Sequence, residues 1–514
     1  MKKKINIVNL DYSENKHYKE DCDICIIGAG AIGIYLATRL AKEKLSVVLI
    51  EAGDQSSQEI NEIGFGTKFL KNIYSGATKG RYFGIGGTTS HWGGLLVPHS
   101  KLDIKDDRSG IWKYIASVVE NNSSAVLNNL NWTRESSFFE FKSNKKIKLQ
   151  NLLKNINIDL IQSLSIPFRK KNFSNILYNA NFSSDNLKVY KNSVVSDWFF
   201  EDSNNSVSSI SAKSISGNKL KVNAKKFIVS AGALESTRIL LEIDEISSHS
   251  IFDKSSLIGH YLSDHISLPI ATSDVNNIDA IRVFSPYFSH GWMRGFRFVY
   301  NSSDIKLPRS FFHFVFKDQN PGFFLVKHIL KCVQSRKMLK IRPIILLSGV
   351  YGLLKITIYR FIFSRLYFSK TTKVLMQLDI EQTPNIDNYV SLGTEKDKYG
   401  RKNIEINWNI FNCDIEKIKL ISRQFVKSWN TSSQFKLKMI EKEKLENPYD
   451  AYHPVGTCRM GKKNGSVVDK NLRVYGLNNL WIVSTAVLPT AGSANPTFTT
   501  LCLAENLVNS IPKA

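Results

Sequence analysis

Three glycines and one carboxylate carry the first chemistry legible in this chain. Gly28, Gly30 and Gly33 form Gly-x-Gly-x-x-Gly directly after the apolar run 24–27, and Glu51 closes a second apolar run, 47–50. Gly28 permits a tight turn, Gly30 lets backbone approach a pyrophosphate, and Gly33 lets a helix pack close to its strand with its N-terminus facing the negative charge. Glu51 would accept hydrogen bonds from a ribose diol. The set reads as an adenine dinucleotide site and leaves FAD and NAD both open. A second candidate is 81–98, RYFGIGGTTSHWGGLLVP, where two Gly pairs bracket Thr88, Thr89, Ser90, His91 and Trp92. Such a loop can lay backbone amides against a ligand while hydroxyls fill in. A third is the C-terminal run 452–461, YHPVGTCRMG, followed by Asn495-Pro496-Thr497 opening the last helix.

These groups need elements to hold them. The runs 24–27 and 47–50 read as buried parallel strands flanking a helix, with 1–21 as a poorly ordered or loosely docked arm. Strands are expected at 193–198 and 219–230, joined by a polar hairpin 201–217, with Gly232 delivered toward a helix start and a helix at 237–241. Alternating aromatic residues over 284–316 read as sheet, as does 373–408. Helices are expected at 414–429 and 498–511, with weaker helical periodicity over 147–164.

At 514 residues the chain should hold two or three domains, and 43% hydrophobic with 22% charged residues is ordinary for a globular protein. The net charge of +24 favours anionic partners. No reader motif or aromatic-basic platform points to nucleic acid. The six Cys show no ligand spacing. Cys22-x-x-Cys25 falls on a strand, where residues three apart face opposite ways, so no metal site is expected and the pattern suits a reducing compartment. The basic start lacks the apolar core of a secretory signal, which points to the cytoplasm. Between 319 and 378 there is no Asp or Glu, yet eleven Lys and Arg lie within 327–373. The run 344–363 is apolar apart from Lys355 and Arg360. This reads as a basic amphipathic helical pair at an anionic membrane surface on the inner face, with a true span or a core helix as alternatives.

With these motifs in hand, the chain resembles the glucose–methanol–choline (GMC) oxidoreductase family. The resemblance rests on GGTTSHWGG at 86–94, SAGALESTRILL at 230–241, IGHYLSDH at 258–265, EQTPNIDNYVSL at 381–392 and the C-terminal HPVGTCRMG…LPTAGSANPTFT. It looks most like the pyranose oxidases and the flavoprotein subunits of bacterial sugar and sugar-acid dehydrogenases. The segments 100–180 and 319–378 match least. Thr237-Arg238 replaces the usual Ser-Pro, and Ser484 stands where many relatives carry Asp or Gly.

The resemblance implies FAD, held in an α/β Rossmann-like domain built from 18–99, 181–270 and 445–514. It also implies an α+β substrate domain with an antiparallel sheet, from 100–180 and 271–444, so that the two are interleaved in sequence. Cofactor contacts are implied for Gly86, Gly87, Thr88, Ser90, His91, Trp92, Gly93, Val195, Ala231, Gly232, Ala486, Pro496 and Thr497. Some relatives tether FAD through a His in a similar segment, which makes His91 a candidate for a covalent bond. Alcohol oxidation by flavin takes a proton from oxygen and a hydride from carbon to flavin N5, so a base must stand near the hydroxyl. His453 sits where the family carries its catalytic His, and Asn495 where it carries His or Asn. Asn495 could orient the hydroxyl and steady a developing alkoxide. His260, His265 and His313 read as structural. The expected substrate is a sugar, sugar acid, polyol or other alcohol; the acceptor is a quinone, a carrier protein or oxygen, with dehydrogenase placed ahead of oxidase. A non-redox lyase on the same fold and a membrane-docked flavoprotein subunit of an electron-transfer complex are the competing readings.

Overall fold

The computed structural model describes residues 5–511 apart from 105–106, 133–138, 140–157, 179–185, 202–204, 253–256, 274–282, 301–307, 319, 339–342, 370–371, 434, 442–444 and 446. Its first sheet runs Asn6–Asn9, Leu187–Lys191, Val47–Ile50, His17–Ile27, Lys219–Val229, Val207–Lys213, Val194–Phe200, with Leu480–Ile482 beside Lys219–Val229. The first five are parallel neighbours. All four residues of Val47–Ile50 are buried, as expected of a strand covered on both faces. Helix Ala31–Lys42 lies between the first two strands of the Gly-rich unit and packs against the C-terminal helix Pro496–Ser510.

Four expectations are corrected here. The N-terminal arm is docked: Asn6–Asn9 forms the edge strand against Leu187–Lys191, and Leu10 behind it is fully buried. The hairpin 201–217 contains a strand of its own, Val207–Lys213, whose Val207, Ile210 and Ala212 are buried; its many Ser masked that pattern. The helix after Gly232 is longer than expected, Gly232–Ile246. Of the expected helix 147–164, residues 147–157 lie outside the described residues, and Ile158–Ser165 is a strand paired with Trp292–Tyr300.

The second sheet is antiparallel, in the order Leu437–Met439, His265–Ser273, Lys373–Glu381, Ser310–Lys317, Trp292–Tyr300, Ile158–Ser165, Leu95–Leu96. Helix Asn412–Ser432 covers one face. Phe312 stacks on Phe425 at 3.6 Å between centroids, and Trp429 packs edge-on against Phe298. Such aromatic pairs stabilise beyond their buried area. Helices Pro321–Ser335 and Pro343–Phe361 leave the sheet as an antiparallel pair. No helix among the described residues is long and apolar enough to cross a membrane.

Candidate active site

The turn after His17–Ile27 is fixed by close backbone approach. Gly28 has φ +100°, and a Cβ there would lie 2.7 Å from Ala231 Cα. A Cβ on Gly33 would lie 1.8 Å from the Gly28 carbonyl oxygen, so helix and strand touch only because this position is glycine. At Gly30 a Cβ would meet nothing within 4 Å; the backbone faces open space where a pyrophosphate could come up to it. Glu51 is buried, and its carboxylate accepts the N–H groups of Ala29 (2.7 Å), Gly53 (2.9 Å) and Gly84 (2.9 Å). Burial raises its pKa, and these three amides pull the other way. Three of about four lone-pair sites are thereby used, leaving one for a ribose hydroxyl. Glu51 thus ties together three separate loops besides facing the cavity.

That cavity runs from Gly28, Gly30 and Glu51, past Gly87, Thr88 and Trp92, to Val195, Ala231, Gly232 and Thr497. Seven of the expected contacts stand outside its lining. Gly33 is spent on helix packing. Gly86 (φ +104°) donates its N–H to Ala29, and a Cβ there would strike Asn172. Ser90 Oγ bonds back to Gly87 O. His91, Gly93, Ala486 and Pro496 are likewise absent from the lining. His91 stacks on Tyr82 with centroids 3.6 Å apart, and its Nε2 lies 2.9 Å from Ser57 Oγ. Its Nδ1 is buried without a hydrogen-bond partner among the described residues. Burial, then Lys331 and Lys337, push its pKa down to about 4.

Sequence reading missed an ionic cluster in the same wall, formed by Arg81, Glu235, Arg238 and Arg401. Burial alone would raise Glu235, yet Arg238, Arg81 and Arg401 hold it down to about 2. The clue was Glu235 and Arg238 at i, i+3 on a helix that enters the site.

His453 and Asn495 meet, although 42 residues apart. Asn495 occupies the N-cap position of Pro496–Ser510, but its side chain makes no capping bond. Instead Nδ2 lies 3.0 Å from His453 Nε2, and Oδ1 accepts from Arg297 Nη2 at 2.5 Å. The proton positions follow from the ends of this chain. His265 Nε2 lies 3.0 Å from the Gly492 carbonyl, which can only accept, so His265 Nδ1 carries a lone pair. His453 Nδ1, 3.2 Å away, must then be the donor. His453 Nε2 is left as an acceptor, taking the Asn495 Nδ2–H. The network therefore presents the basic lone pair of His453 at Nε2. The His453 backbone N–H donates to both oxygens of Asp264, at 3.0 and 2.9 Å. Burial first, then His265, lower the His453 pKa to about 3. Asp264, His265 and His453 have ligand atoms within 4.8 Å of one another, close enough for a metal ion; each of those groups already has a protein partner.

His265, read from sequence as structural, contacts His453 through Nδ1 and fixes which nitrogen of His453 carries the proton. Its IGHYLSDH context gave no hint of a role, because the partner lies 188 residues away. His265→Phe is expected to lower kcat by about 10-fold or more, as an unsatisfied donor frees the His453 tautomer. Burial first and His265 second hold the His453 pKa down; Phe keeps the burial and removes the second, so the acid limb of kcat/KM should move up from about pH 3 only part of the way. A loss of activity with an unmoved pH profile would mean that His265 only supports the fold.

Residues 384–504 match the family model "GMC oxidoreductase", and residues 24–75 match "Ketopantoate reductase PanE/ApbA". The chain is 47% identical over 60 residues to an alcohol dehydrogenase [acceptor] of Pseudomonas putida, and 60% identical over 43 residues to a pyridoxine 4-oxidase of Microbacterium luteolum. These segments are 12% and 8% of this chain and span only 11% and 8% of those relatives' own lengths. Over nearly the whole chain the fold matches a pyridoxine 4-oxidase structure from Mesorbium loti, with TM-score 0.58, 15% identity, and 95% and 99% of the two chains covered. A formate oxidase structure also matches, with TM-score 0.58, 14% identity, and 96% and 98% covered. Residues 384–504 thus carry the GMC oxidoreductase match, and the chain as a whole shares the fold of these oxidases. The Gly28–Glu51 cradle fits FAD.

Proposed function

We propose that the protein oxidises a CH–OH group of a small alcohol, with His453 as base and Asn495 as its partner at the hydroxyl. The observation that carries this reading is the network that leaves the His453 Nε2 lone pair pointing at Asn495. FAD, when bound, supplies the hydride acceptor. A substrate hydroxyl donating to Nε2 takes over the lone pair, and the Asn495 amide N–H is freed to donate to the hydroxyl oxygen. His453 needs no deprotonation first, because burial keeps it neutral above about pH 3. Residues 18–99, 181–270 and 445–514 are proposed to form the FAD-binding part, and 100–180 with 271–444 the substrate part. A dehydrogenase passing electrons to a quinone or carrier is proposed ahead of an oxidase, in the cytoplasm, with 327–373 toward a membrane.

Among alcohols, one bearing a carboxylate fits best, a sugar acid or hydroxy acid. Arg297 is buried beside Asn495, stacks 3.7 Å above Phe311, and its Nη1 has no hydrogen-bond partner among the described residues. A buried guanidinium nitrogen without a partner is costly, and a carboxylate would satisfy it. Anaerobic flavin bleaching across neutral alcohols, sugars and sugar acids tests both points. Acids are expected to bleach fastest, and Arg297→Gln should raise their KM by about 10–100-fold, the worth of a charged hydrogen bond. Equal rates for neutral and acidic substrates would remove Arg297 from recognition. A flavin that no alcohol, sugar or acid bleaches would favour the non-redox lyase. For His91, a tether predicts flavin that stays with acid-precipitated protein and is released by His91→Ala; free flavin from the wild type excludes the bond.

A further inference from the structure

The helical pair Pro321–Ser335 and Pro343–Phe361 is built inside out. The helices use their smallest residues on each other: a Cβ on Gly322 would lie 2.4 Å from the Gly352 carbonyl carbon, and one on Gly349 would lie 2.7 Å from Leu325 Cδ2. Of Pro321–Ser335 only Gly322, Leu325 and Ser335 are buried. The large apolar residues face outward instead. Twelve of the twenty-three exposed large apolar side chains among the described residues lie between 324 and 363, which is far denser than the scatter normal on a soluble surface. Phe361 is 78% exposed, Ile362 71%, and Tyr351 68%.

Charge completes the pattern. Exposed Lys327, Lys331 and Lys337 lie on or just beyond the first helix, and Lys355 and Arg360 on the second. Lys355 Nζ sits 4.4 Å over the Tyr351 ring and Arg360 Cζ 3.4 Å over Phe288, so the cations border the aromatic face rather than avoid it. No acidic residue interrupts 319–378. Lys337 pairs with Glu62 at 3.4 Å, while Lys327 and Lys331 are exposed. A protein partner with an ordinary mixed surface would not call for a face so apolar and so predominantly basic; anionic headgroups above acyl chains would.

The pair is also tied to the cofactor loop. Gln334 Nε2 donates to the carbonyls of Thr89 (2.9 Å) and Trp92 (3.1 Å), and Asn172 Nδ2 donates to the Gln334 carbonyl at 2.8 Å. Trp92 lines the cavity.

We propose that this helical pair is an interfacial anchor that seats the protein on an anionic phospholipid bilayer, with the outward apolar side chains in the headgroup boundary and the 86–94 loop held just above it. The anchor goes beyond the chemistry proposed above and does not depend on it. The test is flotation of the FAD-loaded full chain with vesicles of phosphatidylcholine, with and without phosphatidylglycerol. The wild type is expected to float with anionic vesicles and to stay behind with neutral ones. Lys327→Gln with Lys355→Gln should weaken vesicle binding by about fivefold per cation removed. Leu354→Ser with Phe361→Ser should abolish flotation while flavin content is unchanged, both positions being exposed. Failure of the wild type to float with anionic vesicles, or flotation that survives the apolar substitutions, overturns the proposal. So does a wild type that stays behind and runs as a dimer split by those substitutions, because the face would then belong to a second copy.

Discussion

His453→Ala is expected to lower kcat by about 10²–10⁴-fold, the range supplied by a positioned general base, while FAD remains bound. The separation of effects follows from where His453 sits. Its neighbour Pro454 lines the cavity, but the His453 ring does not; it is held between His265 and Asn495. Removing the ring orphans His265 Nδ1 and the Asn495 amide, so some loss of stability is expected from unpaired buried groups. The flavin spectrum and melting temperature of the variant measure that loss directly. Added imidazole should recover part of the turnover, because it restores a base without the tether. A variant that keeps more than about a tenth of wild-type turnover would remove His453 from the role of base, and would leave the electron-transfer subunit as the stronger reading.

The second large effect is expected at the Gly-rich turn, where two glycines serve different ends. Gly33→Ala places a methyl group 1.8 Å from a backbone oxygen. Neither partner can swing aside, so helix Ala31–Lys42 must back away from its strand. Overpacking of this kind costs about 1–3 kcal/mol or more, and the apo protein should melt lower. Gly30→Ala meets no protein atom within 4 Å, so the apo protein should melt as the wild type does. Both variants should purify without flavin, the first because the helix N-terminus has moved and the second because the methyl group occupies the pyrophosphate's place. Comparing melting curves with flavin content separates the two. Full flavin in Gly30→Ala would show that the cofactor does not approach this backbone.

Much of the architecture was legible because local pattern and tertiary role coincide. The runs 24–27 and 47–50 are buried on both faces of a parallel sheet, and such strands announce themselves as unbroken apolar stretches. The aromatic alternation near 284–316 likewise marked half-buried antiparallel strands. What stayed hidden was set by distant contacts. Val207–Lys213 is rich in Ser and becomes a strand because its neighbours on both sides recruit it. Ile158–Ser165 carried a weak helical period and is overridden by pairing with Trp292–Tyr300. In the site, His453 and Asn495 stood out through their motifs. His265 and Arg297 did not, because their meaning lies in what they touch, 188 and 198 residues away.

The placement of Leu480–Ile482 bears on how the chain is made. This strand pairs with Lys219–Val229, which in turn pairs with His17–Ile27, so the central sheet joins residues 17–27 to residues 480–482 through one shared strand. At about 5–20 residues per second, the end of Lys219–Val229 waits on the order of ten seconds or longer for Leu480–Ile482. During that wait part of its edge has no partner, which is a template for aggregation. Thr497, one wall of the cavity, follows Leu480–Ile482 in the chain. Yield of the folded protein should therefore depend on slow translation or on chaperones that cover the waiting edge, and flavin is expected to be captured only after this segment has folded.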